Sequence, residues 1–252
     1  MAARWNTAWV TGASTGIGRE LAVRLARDGV RVAISARSGD KLDELVRAHP
    51  ELQGRLLAVP LDVTDRASVA AAHRLVVDAL GSIDLAVLNA GVWHPMKAVE
   101  YDAVRAAQSM EVNYFGIVNV LEPLVPAMIN RGNGQLALVA SVAGYRGLPM
   151  AAAYAPTKAA VISLAEVLRL ELAQHNIVVS LVNPGFVETP MTAVNTFPMP
   201  FILKVEDAAE RIIRGLESGR FETAFPWPLV AILKTMRVMP NWLYLRLAAR
   251  FR

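Results

Sequence analysis

A tyrosine four residues ahead of a lysine, Tyr154 and Lys158 in YAPTK, is a pair that can move a proton. A free phenol has a pKa of about 10 and is a poor base at neutral pH, so the pair is useful only where something favours the phenolate. On a helix, residues i and i+4 share a face, which brings the Lys158 ammonium toward the Tyr154 phenol and stabilises its ionised form. Pro156 agrees with that placement. Proline is tolerated in the first turn of a helix, so the helix is expected to start very near Tyr154, with Lys158 one turn inside. In isolation each residue also has an ordinary use, as a packed ring and a solvated amine.

A second group of residues suits a phosphate. TGASTGIG, Thr11 to Gly18, follows a strand-like run and leads into a helical pattern. Gly12, Gly16 and Gly18 let the backbone turn tightly, approach a pyrophosphate and lay the helix against the strand, while the helix N-terminus offers unpaired N–H groups. The residue that meets the adenosine ribose is expected about 20 positions further on, at the end of the second strand. There the chain reads Ile34-Ser35-Ala36-Arg37, with no acidic side chain to accept from a 2′-hydroxyl and a guanidinium suited to a 2′-phosphate. That favours NADP(H) over NAD(H).

Elements of the right kind to carry these residues run the length of the chain. Strands are expected at Thr7–Thr11, Arg31–Ser35, Leu56–Pro60, Leu85–Asn89, Gln135–Ser141, Ile177–Asn183 and Phe221–Phe225. Helices are expected at Gly16–Arg27, Asp40–Ala48, Ala67–Leu80, Asp102–Ile129, Ala151–Gln174 and Glu206–Glu217. Most strands lack polar alternation, as strands buried on both faces do, so the class is α/β around a parallel sheet of about seven strands. No linker interrupts the alternation, and one domain is expected over residues 1–252, with a core of about 5–225. The composition agrees: 54% hydrophobic and 19% charged residues over 252 positions are ample for a large core and exclude disorder. With no cysteine, disulfides and thiolate metal sites are excluded, no metal is expected, and redox chemistry must come from a cofactor. The start MAARWNTAWV lacks the features of a secretion signal, and no uninterrupted apolar run reaches the length of about 20 residues of a membrane span, so a cytoplasmic protein is expected. The net charge of +4 suits a phosphate-bearing cofactor as well as any polyanion, and no nucleic-acid partner is expected.

With LNAG (Leu88–Gly91), VNYFG (Val112–Gly116), Ser141 and NPGFVET (Asn183–Thr189) added in order, the sequence resembles the classical short-chain dehydrogenase/reductase family over roughly residues 5–225. The resemblance implies a Rossmann-type doubly wound sheet and carbonyl/alcohol chemistry on a small molecule. It assigns Tyr154 as general acid/base, Lys158 as its partner, Ser141 as the hydrogen bond to the substrate oxygen and Asn113 as holder of a water in a proton relay. Ser14, Thr15 and Ile17 fall in the phosphate loop. Asp62, with Val63 beside it in LDVTD, falls at the adenine, Asn89, Ala90 and Gly91 along the adenine-ribose side, and Pro184, Gly185, Val187 and Thr189 around the nicotinamide. In the reductive direction Tyr154 would give a proton to the developing alkoxide while Ser141 stabilises the oxygen.

Three features depart from the common pattern. Leu88 replaces a frequent asparagine, and Thr15 stands where some NADP-preferring members carry a basic residue, which leaves Arg37 as the expected phosphate clamp. The third is the tail FPWPLVAILKTMRVMPNWLYLRLAARFR, which lacks the Gly-Gly turn of members that reduce carrier-bound acyl groups. It reads as two short helices split by Pro240, with Lys234, Arg237, Arg246, Arg250 and Arg252 among Trp, Leu and Met. Such helices can cover the substrate pocket, pack on a partner subunit of a homodimer or homotetramer, or make a peripheral membrane contact. Packing is the commoner fate. An apolar segment, Met191–Leu203, is expected to form a lid. A hydrophobic substrate such as a lipid, steroid or aromatic ketone suits all of these readings. A dinucleotide-binding redox sensor without catalysis is the alternative, and it has no need of both Tyr154 and Lys158.

Overall fold

Parallel strands buried on both faces need a helix after each one, and the chain supplies it. The computed structural model describes residues 4–249. Seven strands form one sheet: β1 (Thr7–Thr11), β2 (Arg31–Ser35), β3 (Leu56–Ala58), β4 (Leu85–Leu88), β5 (Gly134–Val139), β6 (Ile177–Pro184) and β7 (Glu222–Phe225). Their order is β3-β2-β1-β4-β5-β6-β7, and every pairing is parallel. The chain steps outward from β1 to β3, then returns to pair β4 with β1 before running the other way, so the winding reverses between β1 and β4. Ligand crevices of doubly wound sheets open at such a reversal, beyond the carboxyl ends of the strands.

Helices α1 (Gly16–Arg27), α2 (Gly39–Arg47) and α7 (Val205–Glu217) cover one face. On the other lie α3 (Arg66–Leu80), α4 (Ala103–Met110), α5 (Gly116–Arg131) and α6 (Ala155–Leu172), with α3, α5 and α6 supplying most of that core. Helix starts follow local chemistry: Asp65 accepts from the Ala67 amide (2.8 Å) at α3, and Asp102 from the Arg105 amide (3.0 Å) at α4. Buried polar groups are paired across the sheet, as where Gln135 accepts from Trp5 Nε1 (3.1 Å) and donates to Ser180 Oγ (3.1 Å).

The structure revises several expected boundaries. β5 stops at Val139 instead of Ser141, because Ser141 Oγ accepts from the Ala143 amide (3.2 Å) and starts a 3-10 turn over Val142–Gly144. β3 ends at Ala58, ahead of Pro60, and β4 at Leu88. α6 begins at Ala155 instead of Ala151, with Tyr154 as its N-cap and Pro156 in its first turn. The expected helix Asp102–Ile129 is interrupted by a π turn, Glu111–Phe115, between α4 and α5. By length and composition alone, the resulting helical run 103–131 could cross a membrane, where the sequence suggests no such segment. Here Ile117, Val120, Leu124 and Met128 bury its apolar face in the core. The tail forms α8 (Trp227–Val238) and α9 (Asn241–Ala248) on either side of Pro240. Arg250 and Arg252 lie outside the described residues.

Candidate active site

At the winding reversal, β1 and β4 are stitched together by side chains. Thr11 Oγ1 accepts from the Asn89 amide (3.0 Å), and Asn89 Nδ2 donates back to the Thr11 and Gly12 carbonyls (3.1 and 3.2 Å). Gly12 takes a left-handed φ of 67° to turn the chain into α1. A β-carbon on Gly18 would fall 2.4 Å from the Gly12 carbonyl oxygen and 2.5 Å from Asn89 Nδ2, so no side chain fits between loop and helix. α1 starts at Thr15 without a side-chain cap, which leaves its first amides available to an anion.

From this loop a single cavity of about 800 Å3 extends across the carboxyl ends of the strands. Gly12, Ser14, Thr15, Gly16 and Ile17 border it below. Arg37, Asp62 and Val63 stand at one end and Asn89, Ala90 and Gly91 along the middle. Ser141, Tyr154, Lys158, Pro184, Gly185, Val187 and Thr189 stand toward the other. Two of the expected residues do not reach the cavity. Gly18 is packed behind the loop, and Asn113 is wholly buried in the π turn. The Asn113 side chain accepts from the Val92 amide (2.7 Å) and donates to the Val92 carbonyl (3.0 Å) and Thr157 Oγ1 (3.1 Å). It thereby ties the strand-end loop after β4 to the start of α6. π turns often mark functional sites, and here the turn carries a residue that supports Tyr154 from behind.

Lys158 is 3% exposed, and its Nζ donates to the Val139 carbonyl at 2.9 Å while lying 5.5 Å from the centre of the Tyr154 ring. Burial brings the Lys158 pKa down to about 8. Burial also pushes the Tyr154 phenol up to about 12, with Ser141 close enough to offset part of that rise. The sequence suggests that Lys158 favours the phenolate; among the protein's own groups, the loss of water around the phenol outweighs it. Trp93 packs edge-to-face on Tyr154 (5.0 Å between centroids) and its Nε1 donates to Asn195 Oδ1 (2.8 Å), which fixes the ring from the open side.

Several bordering residues escape sequence reasoning. Lys41 and Ser38, at the start of α2, flank the cavity beside Arg37, and their place four and one residues past Arg37 is the signal that could have found them. Asp62 also lies near Arg37. Burial raises its pKa, but hydrogen bonds from the Thr64 amide (2.9 Å) and hydroxyl (2.7 Å), together with Arg37, hold it below the ordinary value. Trp93, Phe186 and Phe197 enclose the Tyr154 end, and Leu229, Leu233, Met236 and Tyr244 roof it. Of the fates open to the tail, the structure therefore has α8 and α9 folded over the cavity of their own subunit. Arg146 holds them there by donating to Asn241 Oδ1 (2.6 Å) and stacking 4.4 Å from the Tyr244 ring centre, while Tyr244 donates to the Gly147 carbonyl. Beneath α8, Glu222 on β7 accepts from Lys234, Tyr145 and Asn183.

A family model described as short chain dehydrogenase matches residues 6–197. The chain belongs to the short-chain dehydrogenase/reductase family. It is 38% identical over 251 residues to an uncharacterized oxidoreductase of Myxococcus xanthus, covering 98% of each chain. It is 37% identical over 217 residues to the 3-oxoacyl-(acyl-carrier-protein) reductase of Thermotoga maritima, covering 84% of this chain and 82% of that one. Among solved structures, a short-chain dehydrogenase/reductase from Burkholderia phymatum in complex with NAD superposes with a TM-score of 0.85 over 93% of each chain, at 23% identity, a likeness of fold. An alcohol dehydrogenase from the archaeon Thermococcus sibiricus, complexed with 5-hydroxy-NADP, gives 0.79 at 26% identity, covering 88% of this chain and 96% of that one. As in other short-chain dehydrogenase/reductases, the Rossmann-type sheet brings the Gly-rich loop and the Tyr-Lys pair to one cleft.

Proposed function

We propose that this oxidoreductase uses NADP(H) to interconvert a carbonyl and an alcohol on a hydrophobic small molecule, with Tyr154 as general acid/base. The observation that carries the reading is the continuity of one cavity. It runs from two exposed cations, Arg37 and Lys41, past the uncapped start of α1, to a phenol paired with a buried lysine, and on into an apolar chamber. The donor set fits a phosphate-bearing dinucleotide: backbone amides for the pyrophosphate, Arg37 and Lys41 for a 2′-phosphate, and Asp62 for an adenine amino group. When bound, that cofactor supplies or accepts the hydride. The Thermococcus sibiricus alcohol dehydrogenase above, complexed with 5-hydroxy-NADP, supports the cofactor class.

The chain's own residues handle the proton. A phenol held near pKa 12 stays protonated at neutral pH and can give its proton to an alkoxide forming on the substrate oxygen. Ser141 stands beside it to hydrogen-bond the same oxygen. The Lys158 ammonium then sits where it stabilises the phenolate left behind, and Asn113 holds the start of α6 in register. Alcohol oxidation needs the phenolate first, so that direction gains as pH rises.

Exposed Val104, Phe115, Val167 and Leu170 on α4 to α6 support a homodimer or homotetramer, and the cysteine-free composition supports a cytoplasmic protein. A dinucleotide sensor without catalysis is the weaker reading, since it leaves the buried Lys158 unexplained. The test is NADPH oxidation across a panel of ketones, aldehydes and quinones by wild type and Tyr154→Phe. Turnover that survives in the variant refutes the assigned acid.

A further inference from the structure

The two tail helices have an inner and an outer face. Inward, Leu229, Leu233, Met236 and Tyr244 roof the apolar chamber. Outward, each helix carries a tryptophan, an aliphatic and a basic side chain: Trp227 (77% exposed), Arg237 and Val238 (81%) on α8, then Trp242 (70%), Leu245 (62%) and Arg246 on α9. Large side chains so exposed have no packing role within the subunit. Three others, Met191, Phe201 and Ile232, both border the cavity and face solvent, so the chamber's rim is apolar and continuous with the α8 surface.

Charge says what the surface fits. Between Phe225 and Arg252 there are five Lys and Arg and no Asp or Glu, more than the whole chain's net +4, so the remainder of the chain is slightly acidic. Tryptophan at the polar–apolar boundary, aliphatic side chains between, and the exposed Arg237 and Arg246, which make no ion pair among the described residues while Lys234 pairs with Glu222, match an anionic lipid interface. A second copy of the same face would set like charges against each other.

We infer that the outer face of α8–α9 seats the protein on an anionic lipid surface, and that the apolar rim admits a membrane-dissolved carbonyl compound directly to Tyr154. The substrate half of this rests on the proposed carbonyl chemistry; the docking half does not. The helices lie in the plane of the surface. Each basic side chain near such a surface is worth roughly a five-fold change in partitioning, so binding is steep in anionic lipid and weakened by salt.

The test is co-sedimentation of the full chain with phosphatidylcholine vesicles lacking or containing phosphatidylserine, which reads docking without turnover and so fails independently of the catalytic reading. Pelleting is expected only with phosphatidylserine, reduced at least several-fold in Trp227→Gln/Trp242→Gln and by about five-fold in Arg246→Gln. These positions are exposed and do not line the cavity, so a water-soluble ketone should be turned over as by wild type, while the rate on a long-chain ketone dissolved in vesicles falls. Absence of pelleting, pelleting indifferent to the tryptophans, or a concentration-dependent dimer that the tryptophan substitutions disperse would each overturn the inference.

Discussion

Replacing the buried lysine should make the protein more stable and inactive at once. Lys158 is 3% exposed with its pKa brought to about 8 from 10.5, so keeping it charged at neutral pH costs the fold about 3 kcal/mol. Lys158→Met keeps the length of the side chain and removes that cost. It also orphans the Val139 carbonyl that Nζ now satisfies, which gives back about 1–2 kcal/mol. The net gain near pH 7 is about 1–2 kcal/mol, a rise of about 3–6 °C in thermal midpoint for a chain of this size. The sign changes with pH. A lysine with a depressed pKa binds fewer protons folded than unfolded between about pH 8 and 10.5, so wild-type stability climbs through that window while the variant's does not. Above about pH 10.5 the wild type should be the more stable, because only the orphaned carbonyl then distinguishes them. Thermal unfolding of both proteins from neutral pH to pH 11, followed by circular dichroism, measures this. A variant less stable at neutral pH, or a difference that does not vary with pH, refutes the desolvation argument. A variant that keeps its turnover refutes the role of the charge.

Three further outcomes follow from other contacts. Arg37→Ala and Lys41→Ala should each raise KM for NADPH by about ten-fold or more, as loss of a charge-assisted phosphate contact does, with little effect on KM for NADH; equal effects on both cofactors count against the 2′-phosphate assignment. Gly18→Ala would drive a β-carbon into the Gly12 carbonyl and Asn89, so thermal stabilisation by added NADP+ should vanish, and an undiminished shift would mean the loop does not need its close packing. Burial raises the Glu222 pKa, but Lys234, Tyr145 and Asn183 outweigh it and hold it below its ordinary 4.5, so its contribution to stability is present above that value and is lost as pH falls through the lowered one. Glu222→Gln should flatten the acid limb of the stability curve and raise KM for bulky substrates more than for NADPH, through a loosened α8; a parallel rise in both would contradict the coupling.

The alternation of strands and helices was legible because parallel strands buried on both faces leave apolar runs that few other contexts produce. TGASTGIG and YAPTK were legible for a related reason: their chemistry is local, within one turn or one loop. Ser141 was misread as the end of a strand because its capping of a 3-10 turn depends on where β5 must stop, a tertiary matter. The π turn at Glu111–Phe115 was not legible because helix continues on both sides of it, from α4 into α5. Lys41 and Trp93 lay close in sequence to recognised motifs, yet their approach to the cavity is set by how α2 and the loop after β4 are held. The upward shift of the Tyr154 phenol runs opposite to what the Tyr-Lys spacing suggests. Spacing shows that a charge can approach, but the competing loss of hydration depends on how the folded chain buries the phenol.

That roof is made after the sheet and the loops it covers. The sheet, the phosphate loop and Tyr154 all leave the ribosome before Leu229 to Tyr244. For that interval the nascent protein is a nearly finished dinucleotide scaffold with its apolar chamber open to water, the kind of surface that chaperones hold and that promotes aggregation. Premature termination shortly after Phe225 would make this transient state permanent: a protein with its sheet and phosphate loop complete and its apolar chamber without cover.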